Sequence, residues 1–266
     1  MIGVFDSGLG GLSVLAAIAR SLPSARLIYF ADTAHLPYGN KPDAFIRDRV
    51  LAIGDDLVAR GCTTLVAACN TATAAAVEAL RQAHPDLAVI GIEPGVKPAA
   101  LSSQTRHIAV LATESTARSA RLQALIATYA TPLGVRVHIE PCPGWATRIE
   151  MLEMDHPEFV ADIAARILPI VDKGIDRIVL GCTHYAFLAP KLQPLIDGRS
   201  KLVDVADAVA REVVRRSKVE ADDGTHGEIQ LIASARPERL QIALKALGLD
   251  TYSPFADRLR NPPTLP

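Results

Sequence analysis

Two cysteines carry the chemistry this sequence offers most plainly. Cys69 stands in LVAACNTATAAA and Cys182 in IVLGCTHYAFL. Each follows an apolar run that reads as a buried strand, passes through small residues, and is followed by a polar residue and a threonine or histidine that would open a helix. Both thiols are therefore expected at strand C-terminal ends, where open α/β sheets hold their ligands, and at helix N-termini, whose unpaired amides favour a thiolate. A Cys hydrolase needs one nucleophile, a base and an oxyanion hole, which leaves a second matched thiol without a task. Inversion of a carbon stereocentre without a cofactor gives it one. A base takes the proton from one face of the carbon and a conjugate acid returns a proton to the other. The weak acidity of an amino acid's α-proton then calls for electrostatic help and exclusion of water around both thiols.

Other polar residues surround these thiols in the sequence. Asp6 and Ser7 close the first strand in FDSGLGGLSVL, where the carboxylate could hold or accept a neighbouring proton or could cap a helix. The glycines there partly imitate a dinucleotide fingerprint, with Asp32 at a suitable distance, but Ser13 holds the third glycine position and the nucleotide reading fails. The segment ADTAHLPYGNK has the composition of a surface loop, yet Tyr38 and Gly39 could give a hydroxyl and an amide to a substrate. Asn70 and Thr71 after the first thiol, and Thr183 and His184 after the second, are placed to receive a carboxylate or ammonium or to cap their helices. His184 could exchange a proton with Cys182 or support its thiolate. Cys62, in a helix-to-strand turn, and Cys142, between two prolines, read as packing residues.

The elements that must position these groups alternate. Strand-like runs at 2 to 5, 27 to 30, 63 to 69 and 88 to 92 are separated by helical segments, and a second series follows at 107 to 113, 136 to 142, 177 to 183 and 201 to 205. The expected fold class is α/β: two pseudo-symmetric domains, each a mostly parallel sheet flanked by helices. The first domain is expected to comprise 1–94 plus 207–266 and the second 95–206, with a late strand at 227 to 234 and a helix near 236 to 246 returning to the first. Phe159, Ile163, Ile167, Ile170 and Val171 recur at helical spacing behind Pro157, which suits a first helical turn. The proline-rich stretch from Ser253 reads as a mobile tail.

With 266 residues, a net charge of -1 and no long apolar stretch, the chain offers no field for nucleic acid and no membrane span. The expected partner is a small soluble molecule, and the expected location is cytoplasmic. Four cysteines without a CxxC pair indicate neither a disulfide framework nor a zinc site. Composition leaves the oligomeric state open, a homodimer among the options.

DSGLGG at 6 to 11, ADTAHLPYGNK at 31 to 41, ACNTATA at 68 to 74 and GCTHYAFL at 181 to 188 together resemble glutamate racemase, of the aspartate/glutamate racemase superfamily. GIEPGVKPA, LATESTARS and LVDVADAVA are similar to further family segments, in family order, so the resemblance spans nearly the whole chain. It implies interconversion of L- and D-glutamate, the latter a peptidoglycan precursor, with no cofactor and no metal, at an active site on the domain interface. By the family pattern, Cys69 would take the α-proton of D-glutamate with help from Asp6. Cys182 would take that of L-glutamate with help from His184, and Glu150 occupies the family's acidic position. Ser7, Tyr38, Gly39, Asn70, Thr71, Thr113, Thr116 and Thr183 would contact substrate. Two departures stand out: CPGWATRIE carries Gly144 and Trp145 where the family has an aliphatic, proline-containing run, and Val205 replaces a small hydroxyl residue. The nearest alternatives are a racemase of aspartate or another amino acid, and an amino-acid-binding protein without turnover.

Overall fold

The computed structural model describes residues 1–217, 226–249 and 258–260. From the N-terminus the elements are β1 (Ile2–Asp6), α1 (Leu12–Ser21), β2 (Leu27–Ala31), α2 (Asp43–Ala59), β3 (Thr64–Ala67), α3 (Asn70–Ala83) and β4 (Ala88–Gly91). Next come α4 (Val96–Ser102), β5 (His107–Ala112), α5 (Glu114–Arg118), α6 (Ala120–Leu125), β6 (Arg136–Pro141), α7 (Trp145–Glu150), α8 (Pro157–Asp172), β7 (Arg177–Leu180), α9 (Ala189–Ile196) and β8 (Lys201–Val203). The chain continues with α10 (Ala206–Arg216), β9 (Ile229–Ala233), α11 (Pro237–Ala246) and β10 (Leu259–Arg260). Two compact units result, Met1–Ile92 with Ala206–Pro266, and Glu93–Val205.

Each unit is built on one parallel sheet. The first has strand order β10-β9-β2-β1-β3-β4 and the second β6-β5-β7-β8. Numbered within its own unit, the second order is 2-1-3-4, and β2-β1-β3-β4 of the first sheet has the same order, with β9 and β10 added beside β2. Every strand pair is parallel. This explains why the central strands are apolar throughout: helices cover both faces. In β5, Ile108, Val110 and Ala112 face α4 and α6, whereas Ala109 and Leu111 face α7, α8 and α9. Phe159, Ile163, Ile167 and Ile170 of α8 form the stripe that meets that second face. In the first unit, Ile46, Val50, Ile53 and Leu57 of α2 pack with Phe5 and Leu65 of the sheet.

The strands are shorter than the apolar runs suggest. β3 stops at Ala67 and β7 at Leu180, so each cysteine stands two residues past its strand rather than in it. Ala68 still donates to the Phe5 carbonyl, after which the backbone at Cys69 turns into α3. The helix expected directly after Cys182 is instead a 3-10 segment, Thr183–Leu188, and α9 begins only at Ala189. Pro190 lacks the N–H that would bond back to the Ala186 carbonyl and stands in the first turn of α9, where a proline is tolerated. The late strand β9 pairs with β2. Part of the expected loose tail is anchored. Arg258 is buried and donates to the carbonyl oxygens of Ala19, Ala25 and Gly227, and β10 pairs with β9. The remainder of that stretch lies outside the described residues.

Candidate active site

In the first unit, Asp6 at the end of β1 and Cys69 beyond β3 flank the point where the strand order reverses, the usual ligand position in such sheets. The Asp6 carboxylate accepts the backbone N–H of Ser7 at 2.7 Å and of Gly11 at 2.5 Å, which folds the loop over the strand end. Gly11 is required there, because a Cβ would lie 2.9 Å from the Asp6 Cβ and 3.0 Å from that of Ala68. The Cys69 thiol lies 3.9 Å from the Ser7 hydroxyl, which in turn donates to Asp6 at 3.3 Å. Ser7 thus links carboxylate and thiol. Cys69 is the N-cap of α3, and its sulfur accepts the Ala72 N–H at 3.4 Å, a helix-terminal dipole that stabilises negative charge on sulfur.

Asn70 opens α3 and is buried, and neither end of its amide has a hydrogen-bond partner among the described residues. A buried amide left so costs about 1–3 kcal/mol, which a polar ligand would recover. Tyr38 and Gly39 lie in a 3-10 turn, Tyr38–Asn40. The Tyr38 hydroxyl donates to Asp32 at 2.6 Å, and burial together with that carboxylate pushes its pKa far up. Asp32 is fully buried and also receives both Arg49 Nε and Nη2, at 3.0 and 2.9 Å, and contacts His35 Nδ1 at 3.0 Å. Burial raises its pKa, but the bonds from Arg49, Tyr38, His35 and Ser234 outweigh that and hold it below the ordinary value. In the sequence Asp32 is visible only as part of the failed dinucleotide fingerprint and of the ADTAHLPYGNK segment, and Arg49 carries no signal there. The available signal was a carboxylate ending a buried strand, which requires a cation in reach.

In the second unit, Cys182 lies beyond β7 as Cys69 lies beyond β3. The backbone angles match, with φ -140° and ψ 135° at Cys182 against φ -134° and ψ 120° at Cys69. Gly181 before it cannot carry a side chain, since a Cβ would sit 2.6 Å from the Leu111 carbonyl oxygen. The Cys182 sulfur lies 3.6 Å from His184 Nδ1, and His184 Nε2 bonds to Glu150 at the end of α7. All three are buried. Burial opposes protonation of His184, but its bonds to Cys182 and Glu150, and their negative charge, hold its pKa well above the usual imidazole range. Thr113 caps α5, accepting the Thr116 N–H at 3.2 Å and donating to the Thr116 hydroxyl at 3.1 Å. Thr183 opens the 3-10 segment beside Cys182.

The structure therefore brings Asp6, Ser7 and Cys69 together in one unit, and Cys182, His184 and Glu150 in the other. The remaining cysteines behave differently. Burial pushes the Cys62 thiol up to about 11 and the Cys142 thiol higher still, so both stay protonated within their cores. All four cysteines are free, and among the described residues no group of His, Cys, Asp and Glu is arranged to hold a metal ion. No helix among the described residues is long and apolar enough to cross a membrane.

Paired strand-end thiols on two like-wound parallel sheets define the class: the chain belongs to the Asp/Glu/hydantoin racemase family, whose model matches residues 2–213. It is an isomerase by that membership. Among its relatives are glutamate racemases. That of Pseudomonas aeruginosa is 43% identical over 248 residues, covering 92% of this chain and 93% of the relative. That of Stutzerimonas stutzeri is 42% identical over 250 residues, with 92% and 93% covered. Among solved structures, Escherichia coli glutamate racemase in complex with L-glutamate and the activator UDP-MurNAc-ala has a TM-score of 0.78 at 30% identity, covering 92% of this chain and 94% of that one. Glutamate racemase isoform RacE1 from Bacillus anthracis has a TM-score of 0.83 at 29% identity, with 93% and 94% covered.

Proposed function

We propose that the chain interconverts L- and D-glutamate without a cofactor, with Cys69 and Cys182 as the two acid-base groups. The observation that carries this reading is the repetition itself. Each cysteine stands two residues past the third strand of its unit, with the same extended backbone, before a helical segment. The family and the glutamate racemases among its relatives support glutamate as the substrate.

One thiolate removes the α-proton, the electron pair of the C–H bond passes into the substrate carboxylate, and the other thiol returns a proton to the opposite face. Cys69 takes the proton of D-glutamate, with Asp6 holding the Ser7 hydroxyl toward its sulfur. Cys182 takes that of L-glutamate, with the His184 imidazolium stabilising its thiolate and Glu150 holding the imidazole in place. The amide of Asn70, with the backbone of Gly39, Ser7, Tyr38 and the threonines at 71, 113, 116 and 183, receives the substrate's carboxylates and ammonium. D-glutamate made in a bacterial cytoplasm would feed peptidoglycan synthesis.

The test is incubation with L-glutamate in deuterium oxide, following circular dichroism and the α-proton NMR signal together. The wild type should lose optical activity as deuterium enters the α position, while Cys69→Ala and Cys182→Ala each lose racemisation. Full racemisation by either variant overturns the two-base reading, and turnover of aspartate in place of glutamate overturns the substrate.

A further inference from the structure

We propose that Trp145, held by Asp162, is a positioning residue for the Glu150–His184 pair and through it for the Cys182 proton transfer; this rests on the two-thiol reading above. Trp145 is the chain's one tryptophan and is buried. It opens α7, and Glu150 closes the same six-residue helix. A helix this short has little stability of its own, so its placement is set by what its ends grip. Both ends grip one segment. Glu150 bonds to His184, and the indole packs edge-on against the neighbouring Tyr185, at 5.4 Å and 67°.

The indole's own position is fixed from α8. Its N–H donates to Asp162 at 2.6 Å, and its ring meets Phe159 of the same helix at 5.9 Å and 83°. Arg166 ties Asp162 to the end of β6 by donating to Asp162 at 3.1 Å, to Glu140 at 2.9 Å and to the Pro141 carbonyl at 3.0 Å. Packing alone does not lock this end of α7. A cavity of about 300 Å³ lies beside the indole, bounded in part by Pro143, Gly144 and Arg148, and Gly144 has the left-handed φ of 78° with open space where a Cβ would be. The directional bond to Asp162 sets the indole's angle, and the rigid turn and a half of α7 carries that angle to Glu150.

The experiment compares Asp162→Ala, Asp162→Asn and Trp145→Phe with wild type. Racemisation is followed from each enantiomer with α-protium and α-deuterium substrate. Because the equilibrium constant between enantiomers is one, kcat/KM stays equal in the two directions, and the isotope effects carry the information. If Asp162→Ala slows the Cys182 transfer, that step limits L-to-D turnover more and the isotope effect with L-glutamate rises. The same change makes reprotonation limit D-to-L turnover, so the effect with D-glutamate falls. We expect a loss of about threefold to tenfold in kcat, of the size one hydrogen bond carries, for Asp162→Ala and Trp145→Phe. Asp162→Asn keeps an acceptor and should restore both isotope effects, and the single tryptophan's emission should shift in Asp162→Ala but not in Asp162→Asn. Loss of folded protein alone lowers the rate and leaves both isotope effects unchanged. That result, a parallel change for both enantiomers, or the mirrored pattern overturns the proposal. The two-thiol reading is judged separately, on wild type and the cysteine variants.

Discussion

Replacing Glu150 by glutamine should move activity and stability in opposite directions with pH. The substitution keeps the shape and a hydrogen-bond acceptor but removes the charge beside His184. A hydrogen bond to a charged group is worth about 1.5–3 kcal/mol, so its loss should lower the imidazole pKa toward the ordinary value. The wild-type histidine is held well above its ordinary pKa, and on the proposed reading its charge supports the Cys182 thiolate. In Glu150→Gln that support disappears at lower pH, so the alkaline limb of kcat/KM moves to lower pH while activity near pH 6 suffers least. Stability follows the other sign. A raised folded-state pKa contributes stability fully below the unfolded value of about 6.5 and loses it as pH rises through the folded pKa. The variant should therefore melt lower than wild type at pH 6, by the equivalent of about 1.5–3 kcal/mol, and approach it at high pH. Circular dichroism serves for both measurements, following racemisation and thermal unfolding from pH 5.5 to 10. A rate loss by one constant factor at every pH, with no displacement of the limb, would refute the assigned role of the Glu150 charge.

Two further outcomes follow from groups around the same machinery. Asp32→Asn leaves Arg49 without its buried counter-charge and should cost about 2–4 kcal/mol at pH 7. Because the folded pKa of Asp32 is depressed, its stability is present above the unfolded value of about 3.9 and lost as pH falls through the folded pKa, so melting curves of variant and wild type should converge in acid. Gly181→Ala places a Cβ against the Leu111 carbonyl oxygen, which cannot move without breaking the β5–β7 ladder. It should lower stability by about 1–3 kcal/mol in thermal denaturation and lower racemisation by shifting Cys182.

What the sequence makes legible follows from which forces are local. Apolar runs on alternation with helical spacing locate every central strand, because both faces of a parallel sheet must be covered. Cys69 and Cys182 are legible for the same reason: each follows such a run and precedes polar, helix-opening residues. Strand ends are less so. Ala68 and Gly181 look as apolar as the residues before them, and only the ladder partner decides where pairing stops. Partners remote in sequence are invisible to periodicity. Nothing in the spacing of Asp32 and Arg49, or of Trp145 and Asp162, distinguishes a buried bond from two surface charges and a core ring. Glu150 was reachable through family resemblance alone, since 34 positions separate it from His184.

The two cysteines are alike in topology and unlike in local surroundings, and the difference begins with the segment that follows each. After Cys69 an unbroken α-helix of 14 residues begins, so its third N–H reaches the sulfur and its dipole ends there. After Cys182 the segment is 3-10, α9 begins only at Ala189, and no side-chain cap bond is made to the sulfur. A thiolate there lacks the helix terminus that serves Cys69 and requires another source of positive charge. His184, two residues on, supplies it as an imidazolium, and a buried imidazolium in turn needs a counter-charge, which Glu150 provides. The first unit can use a carboxylate and a hydroxyl, Asp6 and Ser7, because its helix already carries the favourable dipole. On the proposed two-thiol reading, the Cys182–His184–Glu150 chain of the second unit should make the Cys182 transfer the one that depends on pH through His184.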